Sequence, residues 1–139
     1  LDLICRQTGC IPRLSVKIPK ETVVAEVDLN VILGNLLDNA AEAIERADEK
    51  YLELQMRYDR NVLYISIYNS YDGKLELDKK GRFLTRKARK EEHGIGLESV
   101  KLVLGKYGGK MRLSHENCIF KADLMLFGKA AVGEEKGLL

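Results

Sequence analysis

The sequence predicts an α+β fold, a two-layer α/β sandwich in which a mixed, mostly antiparallel sheet carries its helices on one face. Three observations predict it. Two segments, from Asp28 to about Ala47 and from Gly94 to Tyr107, place apolar residues at helical spacing. Several other segments alternate apolar and polar residues, the period of two that a half-buried strand requires. Most of those strands come as consecutive pairs joined by short turns, and hairpins combined with long amphipathic helices bury both sets of apolar faces in two layers.

Taken in order, residues 1–10 are short enough for one or two helical turns. Leu14-Ser15-Val16-Lys17-Ile18 alternates and reads as a strand ended by Pro19. Asp28 is a good N-cap for the first long helix, whose apolar face comprises Leu29, Ile32, Leu33, Leu36, Ala40, Ala43 and Ile44. From Tyr51 to Tyr58, Leu52, Leu54, Met56 and Tyr58 fall on one side and Glu53, Gln55 and Arg57 on the other. Asp59-Arg60-Asn61 is a turn, and Val62 to Tyr68 completes the hairpin. Between Asn69 and His93 no period is sustained, and long structureless loops in compact domains are often functional. The second helix follows, with Ile95, Val100, Leu102, Val103 and Leu104 as its apolar set, stopped by Gly108-Gly109. Met111–Leu113 and Ile119–Phe127 predict a last hairpin turning at His115-Glu116-Asn117. The expected organisation is a lead-in over 1–12, one domain over 13–128, and a frayed tail over 129–139.

Composition bounds the function. The 139 residues are 45% apolar and 32% charged, which excludes a disordered tail, and a net charge of +2 disfavours a nucleic-acid binder. No apolar run approaches the ~20 residues that span a bilayer. Cys5, Cys10 and Cys118 form no CxxC pair, and His93 and His115 lie outside zinc-ligand spacing from them, so reduced thiols in a cytosol are expected. The chain opens at Leu1 rather than Met, so a longer parent protein is expected.

Four features carry chemistry. Asn35, Asn39, Glu42 and Arg46 form a narrow stripe bordering the apolar face of the first helix. Asparagine is a poor helix former, so two of them one turn apart are either half-exposed surface residues or amides that line a cavity and ligate a hard cation beside a phosphate. His93-Gly94-Ile95-Gly96-Leu97 opens the second helix, where glycines permit close backbone approach and unpaired N–H groups favour an anion; the alternative is a hinge. Asn69 continues the row Leu63, Ile65, Ile67, so a polar side chain ends a buried row, either as a turn cap or as a partner for a base. The loop from Lys74 to Lys90 is strongly basic, with Thr85-Arg86-Lys87 grouping a hydroxyl and two cations; it is either a solvated surface or a flap over phosphates.

The order of these features resembles the GHKL superfamily, the Bergerat-fold ATP-binding domains of gyrase, Hsp90, histidine kinases and MutL. The resemblance runs from about Leu14 to Phe127. Its most specific part is the segment Leu29 to Ala43, containing Leu36-Leu37-Asp38-Asn39-Ala40-Ala41. The sequence is most similar to catalytic domains of sensor histidine kinases, in the subgroup that includes peptide quorum-sensing kinases.

The resemblance implies a set of roles. Asn39 matches the asparagine that ligates the Mg²⁺ bridging the phosphates of ATP. Asn35 takes the place where gyrase-like ATPases carry a water-activating glutamate; an amide cannot take up that proton, so transfer to a protein is implied rather than hydrolysis. Gly94 and Gly96, with His93, Ile95 and Leu97 around them, match the turn bordering the phosphates, and Lys87 and Thr85 match lid residues near the phosphate chain. Asn69 stands where typical members have the adenine-binding Asp, Tyr71 displaces the first glycine of that box, and Gly73 keeps the second; Asp72 is a rival for the adenine contact.

The implied activity is that of a protein histidine kinase catalytic domain with ATP and Mg²⁺ as cofactors. The implied partners are an upstream dimerisation and phosphoacceptor domain of the same parent and a response regulator, with no nucleic acid. The fragment is expected to be monomeric and cytoplasmic, its parent a homodimer and an integral membrane protein. Two alternatives stand beside it. An anti-sigma-type serine kinase would be revealed by transfer to a serine-containing partner. A degenerate, non-catalytic GHKL scaffold would be revealed by an absence of nucleotide binding.

Overall fold

The structure is a computed structural model, and it describes residues 6, 8–74, 76–77, 83–84 and 95–128. Its elements in chain order are β1 (Arg13–Lys17), α1 (Glu26–Arg46), β2 (Leu52–Asp59), β3 (Val62–Ser70), β4 (Glu76–Leu77), β5 (Phe83–Leu84), α2 (Ile95–Lys106), β6 (Lys110–Glu116) and β7 (Ile119–Phe127). The main sheet has the order β1-β2-β3-β7-β6, and β4 pairs with β5 in a separate ribbon. Only β1 and β2 run parallel; β2–β3, β3–β7 and β6–β7 are antiparallel. Two helices on a mixed, mostly antiparallel sheet is the architecture that the alternating and helical periods predict.

Register explains which residues meet the helices. Leu54, Ile67, Ala122 and Leu113 form one cross-strand row, and Met56, Ile65, Leu124 and Met111 the next. In both rows the β2, β3 and β7 members are buried, while Met111 and Leu113 of β6 are half-buried against the same core. Against these rows α1 places Ile32, Leu36, Ala40 and Ile44, and α2 places Val100, Val103 and Leu104, all buried. Leu29 and Leu33 pack at the margin of the same core, and Ala43 is half-buried while Ala41 is buried. The apolar face of α1 is thus rotated slightly from the one that spacing alone gives.

The sandwich has two distinct ends. At one end lie the β2–β3 turn, the start of α1 and the end of α2. Gly128 N–H donates to the Asn61 carbonyl, and Phe127 N–H to the Tyr107 carbonyl. The second helix closes there in a Schellman motif, with Gly109 N–H on Leu104 C=O (2.8 Å), Gly108 N–H on Gly105 C=O (3.5 Å) and Gly108 at φ +59°. At the opposite end lie the last residues of β3, the β6–β7 turn and the later half of α1.

Four expectations need correcting. Asp28 does not cap α1. The cap position is Ala25, with no side-chain bond, because the Asp28 carboxylate is buried in the first turn and bonded to Tyr107 and Lys106 of α2. The last hairpin turns at Asn117-Cys118, both at positive φ (51° and 60°), rather than at His115-Glu116-Asn117. This two-residue primed turn matches the twist of its strands, so β6 extends three residues beyond Leu113, to Glu116, and takes in His115. The region 69–93 is not wholly without regular structure, since it holds β4 and β5. The strand after Leu14 also begins one residue earlier, at Arg13, and ends at Lys17. The frayed tail expected over 129–139 lies outside the described residues.

Candidate functional site

The asparagines of α1 have different surroundings. Asn35 is half-buried, and its side chain lies 2.7 Å from the Val31 carbonyl; a carbonyl only accepts, so the nearby atom is Nδ2 and the bond is the i−4 back-bond open to a polar residue inside a helix. One turn later Asn39 is also half-buried, and its carboxamide makes no hydrogen bond among the described residues. Its oxygen is therefore available as a neutral ligand. Glu42 is half-buried on the same stripe, and Arg46 donates to the Glu42 carbonyl at 3.3 Å.

The far end of the sheet supplies the next group. Asn69 pairs in register with Leu52 and Phe120, so it shares the helix-facing side with Leu63, Ile65 and Ile67, and it is only 5% exposed. Its Nδ2 donates to the Ser70 carbonyl at 3.0 Å, which leaves Oδ1 and one N–H for a ligand. Ser70 anchors this strand end through its N–H to the Tyr51 carbonyl and by accepting the Tyr51 N–H at Oγ, both at 3.0 Å.

After Ser70 the chain turns through Tyr71, Asp72 and Gly73. Asp72 Oδ1 accepts Lys74 N–H at 2.9 Å, an Asx turn. Gly73 adopts φ +83°, and a Cβ there would sit 3.4 Å from Cys118 Sγ, so any larger residue is strained by its backbone before it meets the hairpin.

Tyr71, which displaces a glycine in the sequence pattern, is buried. Its N–H donates to the Cys118 carbonyl at 3.0 Å, its hydroxyl lies 3.3 Å from His115 Nδ1, and its ring meets those of His115 and Phe120 edge-on at centroid separations of 6.4 and 6.5 Å. Burial pushes the Tyr71 phenol above its ordinary value, with Cys118 and Asp72 adding in the same direction. An aromatic wall of Tyr71, His115 and Phe120 thus stands beside Asn69. Sequence reasoning assigned His115 to a turn; the signal for its true place was the alternation Met111, Leu113, His115.

The helix pair brings the remaining residues to this end. α1 and α2 pack against each other, and Asp28 in the first turn of α1 meets Lys106 and Tyr107 at the end of α2. The two helices therefore run in opposite senses. Asn39 is eleven residues beyond Asp28, and Gly96 eleven before Tyr107, about 16 Å along each axis at the α-helical rise. On that count Gly96 lies about as far from the Asp28–Tyr107 contact as Asn39 does. Ile95 and Gly96 form the opening of α2, the end of a helix that offers unpaired N–H groups, and Leu97 is half-buried against the core. Thr85, Lys87, His93 and Gly94 lie outside the described residues.

Comparison with known proteins is consistent with this geometry. A GHKL domain profile matches residues 24–127, three quarters of the chain. The chain belongs to the GHKL family. Among solved structures, the GHKL domain described here is similar in fold to histidine kinase AdeS of Acinetobacter baumannii, with a TM-score of 0.66 at 13% identity. That match covers 92% of this chain and 59% of the other. The catalytic domain of histidine kinase ThkA gives a TM-score of 0.66 at 14% identity, covering 91% and 83%. The histidine kinase domain of a blue-light-activated kinase from Erythrobacter litoralis gives 0.61 at 14% identity, covering 90% and 59%. No curated protein matches the sequence. Among the described residues no helix is long and apolar enough to cross a membrane.

Proposed function

We propose that this GHKL domain, over residues 13–128, is the ATP-binding catalytic domain of a sensor histidine kinase. It binds Mg·ATP between the helix layer and the sheet, at the end where α1 finishes and α2 begins. In the parent protein the γ-phosphoryl passes to a histidine on a dimerisation domain upstream of Leu1, and from there to a response regulator. The parent works as a membrane-anchored homodimer whose catalytic part is cytoplasmic.

The observation that supports this reading is the convergence at one end of the sandwich. An uncommitted helix amide (Asn39), a glycine-opened helix start (Gly96) and a buried strand-end amide (Asn69) come from three separate segments. A structural role requires none of them to share an end.

The donor set fits the cation. Among the described residues no group of three or more His, Cys, Asp or Glu side chains forms a metal cage. Mg²⁺ retains waters and takes few protein ligands when it rides on phosphates, so one amide oxygen at Asn39 suits it. Bound there, Mg²⁺ would neutralise phosphate charge. The helix start at Ile95–Gly96 receives phosphate oxygens, with Gly94 and His93 assigned to the same role by sequence and Leu97 packed against the core. Lys87 and Thr85 are assigned to the phosphate chain by their place in the sequence pattern. Asn69 contacts the base, with Asp72 as the alternative contact and Gly73 giving the base room. Asn35, lacking a basic oxygen, holds the site's edge and leaves water unactivated, which favours transfer over hydrolysis.

Asn39→Ala tests the reading. Titration calorimetry of the folded variant is expected to show Mg-dependent ATP binding lost. Unchanged Mg·ATP affinity would remove Asn39 from the metal. Wild-type protein that fails to bind ATP at millimolar concentration would point instead to a scaffold, and transfer to a serine-containing partner to a serine kinase.

A further inference from the structure

The end of the sandwich remote from the proposed nucleotide site holds a bond network that joins α1, the end of α2 and β7 through one residue. Tyr107, 3% exposed, accepts Ala25 N–H at its hydroxyl (3.0 Å) and donates that hydroxyl's proton to Asp28 Oδ2 (2.5 Å). Its carbonyl accepts Phe127 N–H at 3.1 Å, which ties the same residue to β7. Asp28 Oδ1 receives Lys106 Nζ at 3.1 Å. Ala25 is the cap position of α1 and makes no side-chain cap bond; the phenol of Tyr107, just past the end of α2, accepts the N–H of this cap residue, the donor that a Glu or Gln three residues on accepts in a capping box.

We propose that Tyr107 is a positioning residue for the nucleotide site: through Asp28 and Ala25 it fixes how far α1 is slid along α2, and so sets Asn39 against the opening of α2. Three facts argue for register rather than plain adhesion. The bonds join the cap and first turn of α1 to the end of α2, so a slide of one helix along the other stretches them. The clamp and Asn39 lie on one rigid helix, so a shift at Asp28 is transmitted to Asn39. The Schellman closure through Gly108 and Gly109 holds Tyr107 itself in place. Lys106 is 60% exposed at its side chain, so its ion pair is screened and the phenol carries the constraint.

The inference rests on the proposed function for its consequence but not for its geometry, and the test separates the two. The full 139-residue chain is prepared as wild type and as Tyr107→Phe, which keeps the buried ring and deletes the hydroxyl. The side-chain amide resonances of Asn39 are followed by NMR without ligand, with those of Gln55, exposed on the sheet face away from the helices, as reference. Calorimetry then gives the ATP affinity with Mg²⁺ and with chelator, at a temperature where circular dichroism shows both proteins folded.

The expected result is a shift of the Asn39 resonances with those of Gln55 unmoved. Mg·ATP affinity should fall about tenfold, near 1.4 kcal/mol, and metal-free ATP affinity less than about threefold. A merely structural residue would weaken both affinities alike or leave Asn39 unmoved, and either result overturns the proposal. If wild type binds no ATP yet Asn39 still shifts in the variant, the clamp stands and the kinase reading falls. Should Tyr107→Phe fail to fold, Asp28→Asn, which keeps an acceptor for the phenol, carries the same two measurements with smaller expected changes in the same direction.

Discussion

Asn69 shows how much one atom decides at the site. Its Nδ2 donates to the Ser70 carbonyl from a position almost closed to solvent. Asn69→Asp replaces that donor with a carboxylate oxygen facing a carbonyl, in a place where charge is poorly solvated. The variant is expected to lose about 1–3 kcal/mol at neutral pH, the cost of a buried polar group left without its partner. The deficit should shrink as pH falls, because a protonated acid regains a donor. Urea unfolding at two pH values checks this, and a variant as stable as wild type at neutral pH would show that the Ser70 bond carries nothing. Tyr107 makes a second residue-scale case. Burial raises its phenol above 10.0 and the bond to Asp28 adds to the rise. The folded state therefore holds the proton more tightly than the unfolded chain. The sign follows: stability from this group is complete below pH 10 and is lost as pH rises towards the folded value. Alkaline unfolding should be steeper in wild type than in Tyr107→Phe once each is referred to its own neutral-pH stability.

At the scale of elements, the turns carry the strictest steric demands. A Cβ on Gly109 would lie 2.7 Å from the Met125 carbonyl oxygen and 2.9 Å from Leu104 Cδ2. Backbone cannot yield there without breaking the Schellman closure, so Gly109→Ala is expected to cost about 1–3 kcal/mol, the range of an overpacked core. A thermal-denaturation midpoint within a degree of wild type would contradict it. The same elements show what the sequence discloses. Helix and strand periods are set by burial, which is local and periodic, so α1, α2, β2, β3 and β7 are legible from the apolar rows that contain Leu36, Val100, Leu54, Ile65 and Leu124. Asp28 is misleading for the opposite reason. Its partners, Lys106 and Tyr107, are nearly 80 positions away, and no local rule reveals that a good cap residue is engaged elsewhere. His115 lies in a strand rather than a turn because the primed turn takes Asn117 and Cys118 at positive φ, which neither residue announces strongly. For the proposed site, Asn39, Asn69, Gly73 and Gly96 are legible as types in an order, and sequence alone does not place their elements relative to one another. Tyr71, His115 and Phe120 beside them come from strand register, which single segments do not encode.

For the whole molecule, the proposed site makes ligand binding a folding term. Anything that binds the native state alone stabilises it by mass action, by about 2.7 kcal/mol at a hundredfold excess over Kd. For a domain of this size that corresponds to a rise in Tm of roughly 8–12 °C. Mg·ATP at that excess is expected to give this rise. Mg²⁺ alone should give almost none, since the described residues hold no ready cation cage. The distinction matters because the fold is similar to kinase catalytic domains at only 13–14% identity, which establishes architecture and not chemistry. In Asn39→Ala the Mg-dependent part of the rise should vanish while the unliganded Tm stays close to wild type, since a half-buried amide without hydrogen bonds among the described residues contributes little to folding. If Mg·ATP leaves the wild-type Tm unmoved, the convergence of Asn39, Asn69 and Gly96 is an architectural relic. The domain would then act through its surfaces rather than through a bound nucleotide.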